Sequence, residues 1–180
     1  KAVESMASNR TGALIVLERE TGLDDIVATG KVLDATISSD LLNTVFYYGS
    51  PLHDGAIVVK NNILRAAGCI LPLSDDIDLP RTVGTRHRAA LGLSESSDAI
   101  IVVVSEETGN VSLAVGGTMN SILQPRLLVD ELLSLLGRRE GATRLRPFAR
   151  GVGKAARQIP KTTWGTLRST LRAVHRKSQS

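Results

Sequence analysis

Apolar residues along this chain fall into short, nearly continuous runs, separated by clusters of polar and turn-forming residues. Continuous short runs suit strands buried on both faces, whereas recurrence every three or four positions suits helices packed by one face. By that rule residues 1–9 read as the end of a helix and GALIVLE (12–18) as a buried strand. The turn RETG follows, punctuated by Gly22, and LDDIVATGKVLDA (23–35) is loosely helical at its start but holds Gly30. SSDLLNTVFYY (38–48) is a stronger helix. Ser38 or Ser39 can cap it, Asp40 sits in its first turn, and Leu41, Leu42, Val45 and Phe46 form one stripe.

GAIVVK (55–60) and ILRAAGCILPL (63–73) read as two strands of a hairpin. The Asn61-Asn62 turn between them supports this, because Asn tolerates the positive φ that such turns need. SDDIDLP (74–80) is a polar loop, and TRHRAALGLSE (85–95) a helix with a threonine cap. DAIIVVVSEETGNVSLAVGG (98–117) reads as strand, turn, strand, and MNSILQPRLLVDELLSLLG (119–137) as an amphipathic helix interrupted by Pro125. There is no internal repeat. Consecutive hairpins rule out a pure alternation of parallel strands. The expected fold class is therefore α/β of the mixed α+β kind, a central mixed sheet of about five to seven strands flanked by helices.

Composition changes this picture in three places. Hydrophobic residues make up 42% of the 180, enough for a core, but aromatics only 3%, so the core must be Val, Ile, Leu and Ala. The single cysteine, Cys69, lies in an apolar run and reads as core filler. One thiol forms neither an internal disulfide nor a zinc cluster, which suits a reducing cytoplasm. The net charge of +4 is unevenly spread: residues 1–120 hold 9 Lys+Arg against 15 Asp+Glu, and residues 121–180 hold 13 against 3. An acidic domain, residues 1–120, thus carries a C-terminal helix and basic tail, residues 121–180. That tail suits an anionic lipid surface, or simply a solvated chain, and LRSTLRAVHRK within it could form an amphipathic turn or two. The acidic body argues against a nucleic-acid-binding protein. No apolar run approaches the roughly 20 residues that span a bilayer. The chain opens at Lys1 inside a helical pattern, and an upstream segment is expected.

The candidate chemistry lies in three polar clusters at element ends, where a packed sheet can present reactive groups. SPLHDGAIVV (50–59) puts His53, Asp54 and Gly55 at the mouth of an apolar strand, which gains nothing from them there. GTRHR (84–88) puts two arginines on the first turn of a helix, where the macrodipole is already positive. An anion such as a polyphosphate reverses that unfavourable arrangement, with Arg86 and Arg88 forking onto phosphate oxygens and Thr85 donating a hydroxyl. SEE (105–107) ends the strand IIVVV. Asp54, Glu106, Glu107 and His53 could hold a metal or accept a proton from an attacking hydroxyl. Taken singly, each cluster also reads as an ordinary turn; the three together point to phosphoryl or nucleotidyl transfer. The phosphate loop GxxxxGK[ST], the GxSxG elbow, the kinase signatures and HExxH are all missing; GVGK (151–154) lacks the length of the first.

These residues resemble the bacterial diadenylate cyclase domain, whose signatures are D-G-A and, about thirty residues later, R-H-R. Here they stand as Asp54-Gly55-Ala56 and Arg86-His87-Arg88, and the likeness extends through GALIVLERETGL, ISSDLL, AAGCILPLS and VVVSEETGNVSLAVGG. The context is most similar to the membrane-anchored subfamily, in which transmembrane helices precede the domain at the cytoplasmic face. The resemblance implies condensation of two ATP into cyclic di-AMP with release of two pyrophosphates. It implies catalytic roles for Asp54, Gly55, Arg86, His87 and Arg88. It implies ATP binding by Thr36, Gly55, Leu71, Thr85, Arg86, His87, Arg88, Ser105, Glu106 and Glu107. A divalent metal (Mg2+, Mn2+ or Co2+) would be held by His53, Asp54 and Glu107. Thr36 and Leu71 would border adenine and ribose; Ile70 stands where some members carry an aromatic. A homodimer with two sites face to face is implied, and regulatory membrane partners are expected. The alternative is a catalytically silent module that binds ATP or cyclic di-AMP.

Overall fold

In the computed structural model, which describes residues 1–75, 84–122 and 127–137, the chain opens with α1 (Ala2–Ser8), β1 (Ala13–Leu17), α2 (Asp24–Thr29), β2 (Lys31–Thr36) and α3 (Ser39–Val45). It continues through β3 (Ala56–Lys60), β4 (Ile63–Cys69), α4 (Thr85–Ser96), β5 (Ile100–Val104), β6 (Val111–Val115), β7 (Thr118–Ile122) and α5 (Leu127–Gly137). The seven strands form one mixed sheet in the order β2-β4-β3-β1-β5-β6-β7. Only β1 and β3 run parallel; the other neighbours are antiparallel. The described residues belong to a compact unit spanning Lys1–Thr143.

The apolar runs become the central strands because both faces of the sheet are covered. Every residue of β5 and β6 is buried, as are Ala13–Val16 and Ala56–Val59. One face, with Leu14, Val16, Val58, Ile101 and Val103, packs on α2 through Leu23 and Val27 and on α4 through Ala89, Ala90 and Leu93. On α1 and α3, which contact each other, Met6, Leu42 and Val45 are buried. Burial removes apolar surface from water at roughly 25 cal/mol per Å2, so these short strands draw their stability from packing rather than propensity. Cys69 is core, with its thiol pKa raised by burial, as an inert buried cysteine should be. Ser38 caps α3 by accepting from the Leu41 N–H at 3.1 Å. Asn61 and Asn62 take the positive φ of the β3–β4 turn.

One expectation is extended and one corrected. The helical start expected in 23–35 is α2, which ends at Gly30, and Lys31–Thr36 beyond it is an edge strand paired with β4. The helix expected over 119–137 begins only at Leu127, because Thr118–Ile122 pairs with β6. Of the predicted tail, residues 138–180, including LRSTLRAVHRK, lie outside the described residues, as does part of the SDDIDLP loop.

Strand direction sorts the molecule into two ends. The starts of β1, β3 and β6 and the ends of β4, β5 and β7 meet at one end. The opposite end holds a different set of charges. There the buried Glu18 carboxylate accepts from Lys60 Nζ at 2.6 Å and Arg65 Nη1 at 3.1 Å, and Arg65 also reaches Asp24 at 2.9 Å. Those carboxylates raise the Arg65 pKa further. Asp98, at the same end, accepts from the Thr21 and Glu20 N–H groups.

Candidate functional site

The first end of the sheet gathers most of the polar clusters. Helix α4 opens there on Gly84, whose extended backbone caps it without any side-chain hydrogen bond, and no acidic residue lies in its first turn. Thr85 is thus the first helical residue and not the cap that its type suggested. The positive end of the helix faces a cavity of about 360 Å3, bordered by Thr85, Arg86 and His87 on one side and Ser105, Glu106 and Glu107 on the other. Six of the expected site residues therefore converge. Asn110, Ser112, Met119 and Ser121 add to the lining from the turn before β6, from β6 itself and from β7.

Arg86 spans this cavity. Its Nη1 donates to Glu106 Oε2 at 2.7 Å; the guanidinium side chain is 21% exposed and the carboxylate side chain 62%. The buried Nε of Arg86 has no hydrogen-bond partner among the described residues. The pair lies directly over Gly12: a Cβ at that position would sit 2.7 Å from Arg86 Nη1 and 2.9 Å from Glu106 Oε2. His87 is half-buried, and burial lowers its pKa below the ordinary 6.5, while the nearby Glu107 carboxylate opposes that shift. Burial thus favours the neutral form of this imidazole. Arg88 points elsewhere: its exposed guanidinium donates from Nη2 to the Ser74 carbonyl at 3.0 Å, and it does not line the cavity.

The mouth of β3 is built on glycine. Gly55 has φ +110, and a Cβ there would sit 2.8 Å from the Cys69 carbonyl oxygen, so position 55 excludes any side chain. Beside it, Asp54 is exposed and without an ion-pair or hydrogen-bond partner among the described residues. His53 is held by its own turn, its Nδ1 bonded to the Ser50 carbonyl and its ring edge-on to Tyr48 at 5.8 Å. Two strand spacings, roughly 10 Å, separate β3 from β5 across β1. Asp54 and the cavity therefore share one end of the sheet without touching.

Two expected residues sit elsewhere. Leu71 is 7% exposed and packs into the core among Ala89, Ala90 and Leu93, leaving Ile70, 70% exposed, as the residue offered at that edge. Thr36 pairs with Ile63 beside the Asn61-Asn62 turn, at the far end of the sheet from Asp54, because β2 runs away from the site. Nor do His53, Asp54 and Glu107 form a three-ligand cluster: among the described residues no three His, Cys, Asp or Glu side chains converge. A magnesium-type cation ordinarily takes only one or two carboxylates beside substrate phosphates and water, and the exposed Asp54 fits that partial role. Gly12 and Ser74 had escaped sequence reasoning. A glycine just before an apolar strand was the available signal for the first; nothing local marks the second.

Comparison with known proteins identifies the family. The DAC family, described as DisA bacterial checkpoint controller nucleotide-binding, matches residues 1–119. The "Cyclic di-AMP synthase CdaA" of Bacillus subtilis is 47% identical over 132 residues, covering 73% of this chain and 48% of that protein. A crystal structure of a double mutant of DacA from Staphylococcus aureus superposes with a TM-score of 0.71 at 47% identity, covering 74% of this chain and 88% of that one. A crystal structure titled as a hypothetical membrane spanning protein from Bacillus cereus gives 0.66 at 48% identity, over 68% and 60% of the two chains. The chain spans about half the length of the curated relatives it matches. Among the described residues no helix is long and apolar enough to cross a membrane.

Proposed function

Because the chain belongs to the DAC family, we propose that it is a diadenylate cyclase, which condenses two ATP into cyclic di-AMP and releases two pyrophosphates. The observation that carries this reading is the sharing of one sheet end by a free carboxylate, Asp54, and a cation-bearing helix start, Thr85–His87. Phosphoryl chemistry needs little covalent help and much positioning and charge neutralisation, which this pairing supplies.

In this reading the triphosphate enters the cavity at the start of α4. The Thr85 hydroxyl, Arg86 and His87 hold its oxygens, and Ser105 with Glu106 and Glu107 borders the other wall. Glu106 yields Arg86 to the phosphate, and the unpartnered Arg86 Nε adds a donor. A divalent cation, Mg2+ or Mn2+, would neutralise phosphate charge when bound, and Asp54 and Glu107 are two exposed carboxylates at this end of the sheet without a hydrogen-bond or ion-pair partner among the described residues. Asp54 also orients the ribose 3′-hydroxyl and accepts its proton. The bond from O3′ to the α-phosphorus of the second ATP forms as the bond from that phosphorus to pyrophosphate breaks. The same step repeated with the roles exchanged closes the ring.

One domain holds one ATP and offers one 3′-hydroxyl. The product is two-fold symmetric, so two copies must face each other at these ends, an isologous arrangement. By the same kinship the domain belongs at the cytoplasmic face of a bacterial membrane, anchored by chain outside these 180 residues. The test is direct: incubation with ATP and Mg2+ or Mn2+ should yield cyclic di-AMP and pyrophosphate, with activity per chain rising with concentration. ATP binding without product would leave a silent binding module, and activity independent of concentration would refute the two-copy mechanism.

A further inference from the structure

Arg88 belongs to the same arginine-rich turn as Arg86, yet the two side chains do different things. Arg86 crosses the cavity, whereas Arg88 Nη2 donates to the Ser74 carbonyl at 3.0 Å. The Ser74 N–H donates back to the Arg88 carbonyl at 3.0 Å, and the Ser74 hydroxyl donates to Glu95 Oε1 at 2.6 Å, two turns further along α4. Ser74 itself is 1% exposed, a buried polar residue between exposed Leu73 and exposed Asp75. Gly92 lies between the two anchor points, and a Cβ there would collide with the Pro72 carbonyl and the Ser74 nitrogen, so helix and segment touch by backbone. At its other end the segment is pinned as well: Ile70 N–H donates to Thr29 Oγ1 at 2.9 Å, and that hydroxyl donates to the Ile26 carbonyl. Leu71 plugs the core between these pins.

Segment 70–74 is therefore clamped against the helix whose first turn borders the cavity. We propose that Arg88, Ser74 and Glu95 form a clasp that sets where residues 70–74 stand relative to the start of α4. The three act as positioning residues for the nucleoside end of the substrate, and Arg88 is not a phosphate ligand. The inference rests on the cyclase reading for the ligand and for the contact of its nucleoside with segment 70–74, whose exposed Ile70 follows Cys69 at the sheet end that carries Asp54; the clasp itself is a property of the chain alone. The chemistry separates the two roles of an arginine. A phosphate ligand affects any polyphosphate equally, whereas a clasp affects only a ligand that also touches segment 70–74.

Two measurements on Arg88→Ala, Ser74→Ala, Glu95→Ala and Glu95→Gln test this. Hydrogen exchange of the residue 70–75 amides, without nucleotide, should speed up in the first three variants. It should be restored in Glu95→Gln, whose side-chain oxygen still accepts from Ser74. Calorimetric titration should then show ATP affinity falling roughly tenfold in Arg88→Ala and Glu95→Ala, the scale of one net hydrogen bond, with inorganic tripolyphosphate affinity unchanged within about twofold. Tripolyphosphate affinity lost in Arg88→Ala but kept in Glu95→Ala would make Arg88 a phosphate ligand and overturn the proposal. Unchanged exchange at 70–75 in all variants, or faster exchange with unchanged ATP affinity, would overturn it too. A wild-type chain that binds neither ligand would instead sink the cyclase reading, while the exchange data still decided whether the clasp exists.

Discussion

Gly12 offers the sharpest test of the site, because its side chain is absent for a reason the structure makes measurable. Its φ lies outside the left-handed region, so alanine is compatible with the backbone. What alanine adds is a methyl carbon 2.7 Å from Arg86 Nη1 and 2.9 Å from Arg86 Cζ and Glu106 Oε2. Ordinary contact begins at 3.4 Å, so the guanidinium must retreat by about 0.7 Å and the carboxylate by about 0.5 Å. Neither is backbone, so the fold should survive. The cost falls on alignment: a guanidinium hydrogen bond to phosphate contributes about 1.5–3 kcal/mol, and a shift of that size forfeits much of it. Gly12→Ala should weaken ATP binding by about 1–2 kcal/mol, roughly 5- to 30-fold. Calorimetric titration with a non-hydrolysable ATP analogue reads the affinity, and thermal melting checks the fold. An affinity within a factor of two of wild type, with melting unchanged, would refute the placement of phosphate on Arg86. The Arg86–Glu106 pair itself has little stability to lose, since its carboxylate side chain is 62% exposed and such pairs contribute about 0–1 kcal/mol.

Three further outcomes are expected. Asp54→Asn should abolish cyclic di-AMP formation yet leave ATP affinity within about threefold, because the triphosphate is held elsewhere; cyclase activity within twofold of wild type would remove Asp54 from the chemistry. The His87 pKa lies below its ordinary 6.5 through burial, against the opposing Glu107, so the unfolded chain binds the proton more readily. Its contribution to stability is therefore full above the unfolded value and declines as pH falls through 6.5 towards the folded pKa. A bound triphosphate should reverse the shift, so titrations near pH 6 in buffers of different ionisation enthalpy should detect proton uptake on binding, lost in His87→Gln. The Asp98 pKa is lowered: burial raises it, but hydrogen bonds from Thr21 and Glu20 outweigh burial, and Arg19 adds to them. Its stabilisation is thus present above 3.8 and lost as pH falls through the folded value. Asp98→Ala should cost about 1 kcal/mol in urea unfolding at neutral pH and progressively less as pH falls below 3.8, and a loss that does not change with pH would contradict this assignment.

Local pattern was enough wherever one stretch of chain carried its own reason. The β3–β4 hairpin was legible because asparagine tolerates the positive φ that the turn at Asn61 and Asn62 needs, and α3 because Ser38 caps within three residues. The apolar runs announced strands buried on both faces. The D-G-A and R-H-R clusters raised the expectation of a nucleotide site, because polar groups at element ends need a use that the core does not supply. The edge strands did not announce themselves. Lys31–Thr36 and Thr118–Ile122 lack a continuous apolar run, and hydrogen bonds to β4 and β6 alone make them strands. Tertiary structure also decided which polar residues meet. Thr36 lies in a matching stretch, yet the direction of β2 carries it to the end of the sheet opposite Asp54. Gly12 lies beneath Arg86 only because β1 is the neighbour of β5, whose end carries Glu106, and Ser74 joins Arg88 and Glu95 only because Gly92 lets α4 approach its backbone. Periodicity, caps and turns act within a few residues and can be read along the chain. Such juxtapositions arise from packing between distant segments, and the physics that creates them has no local signature.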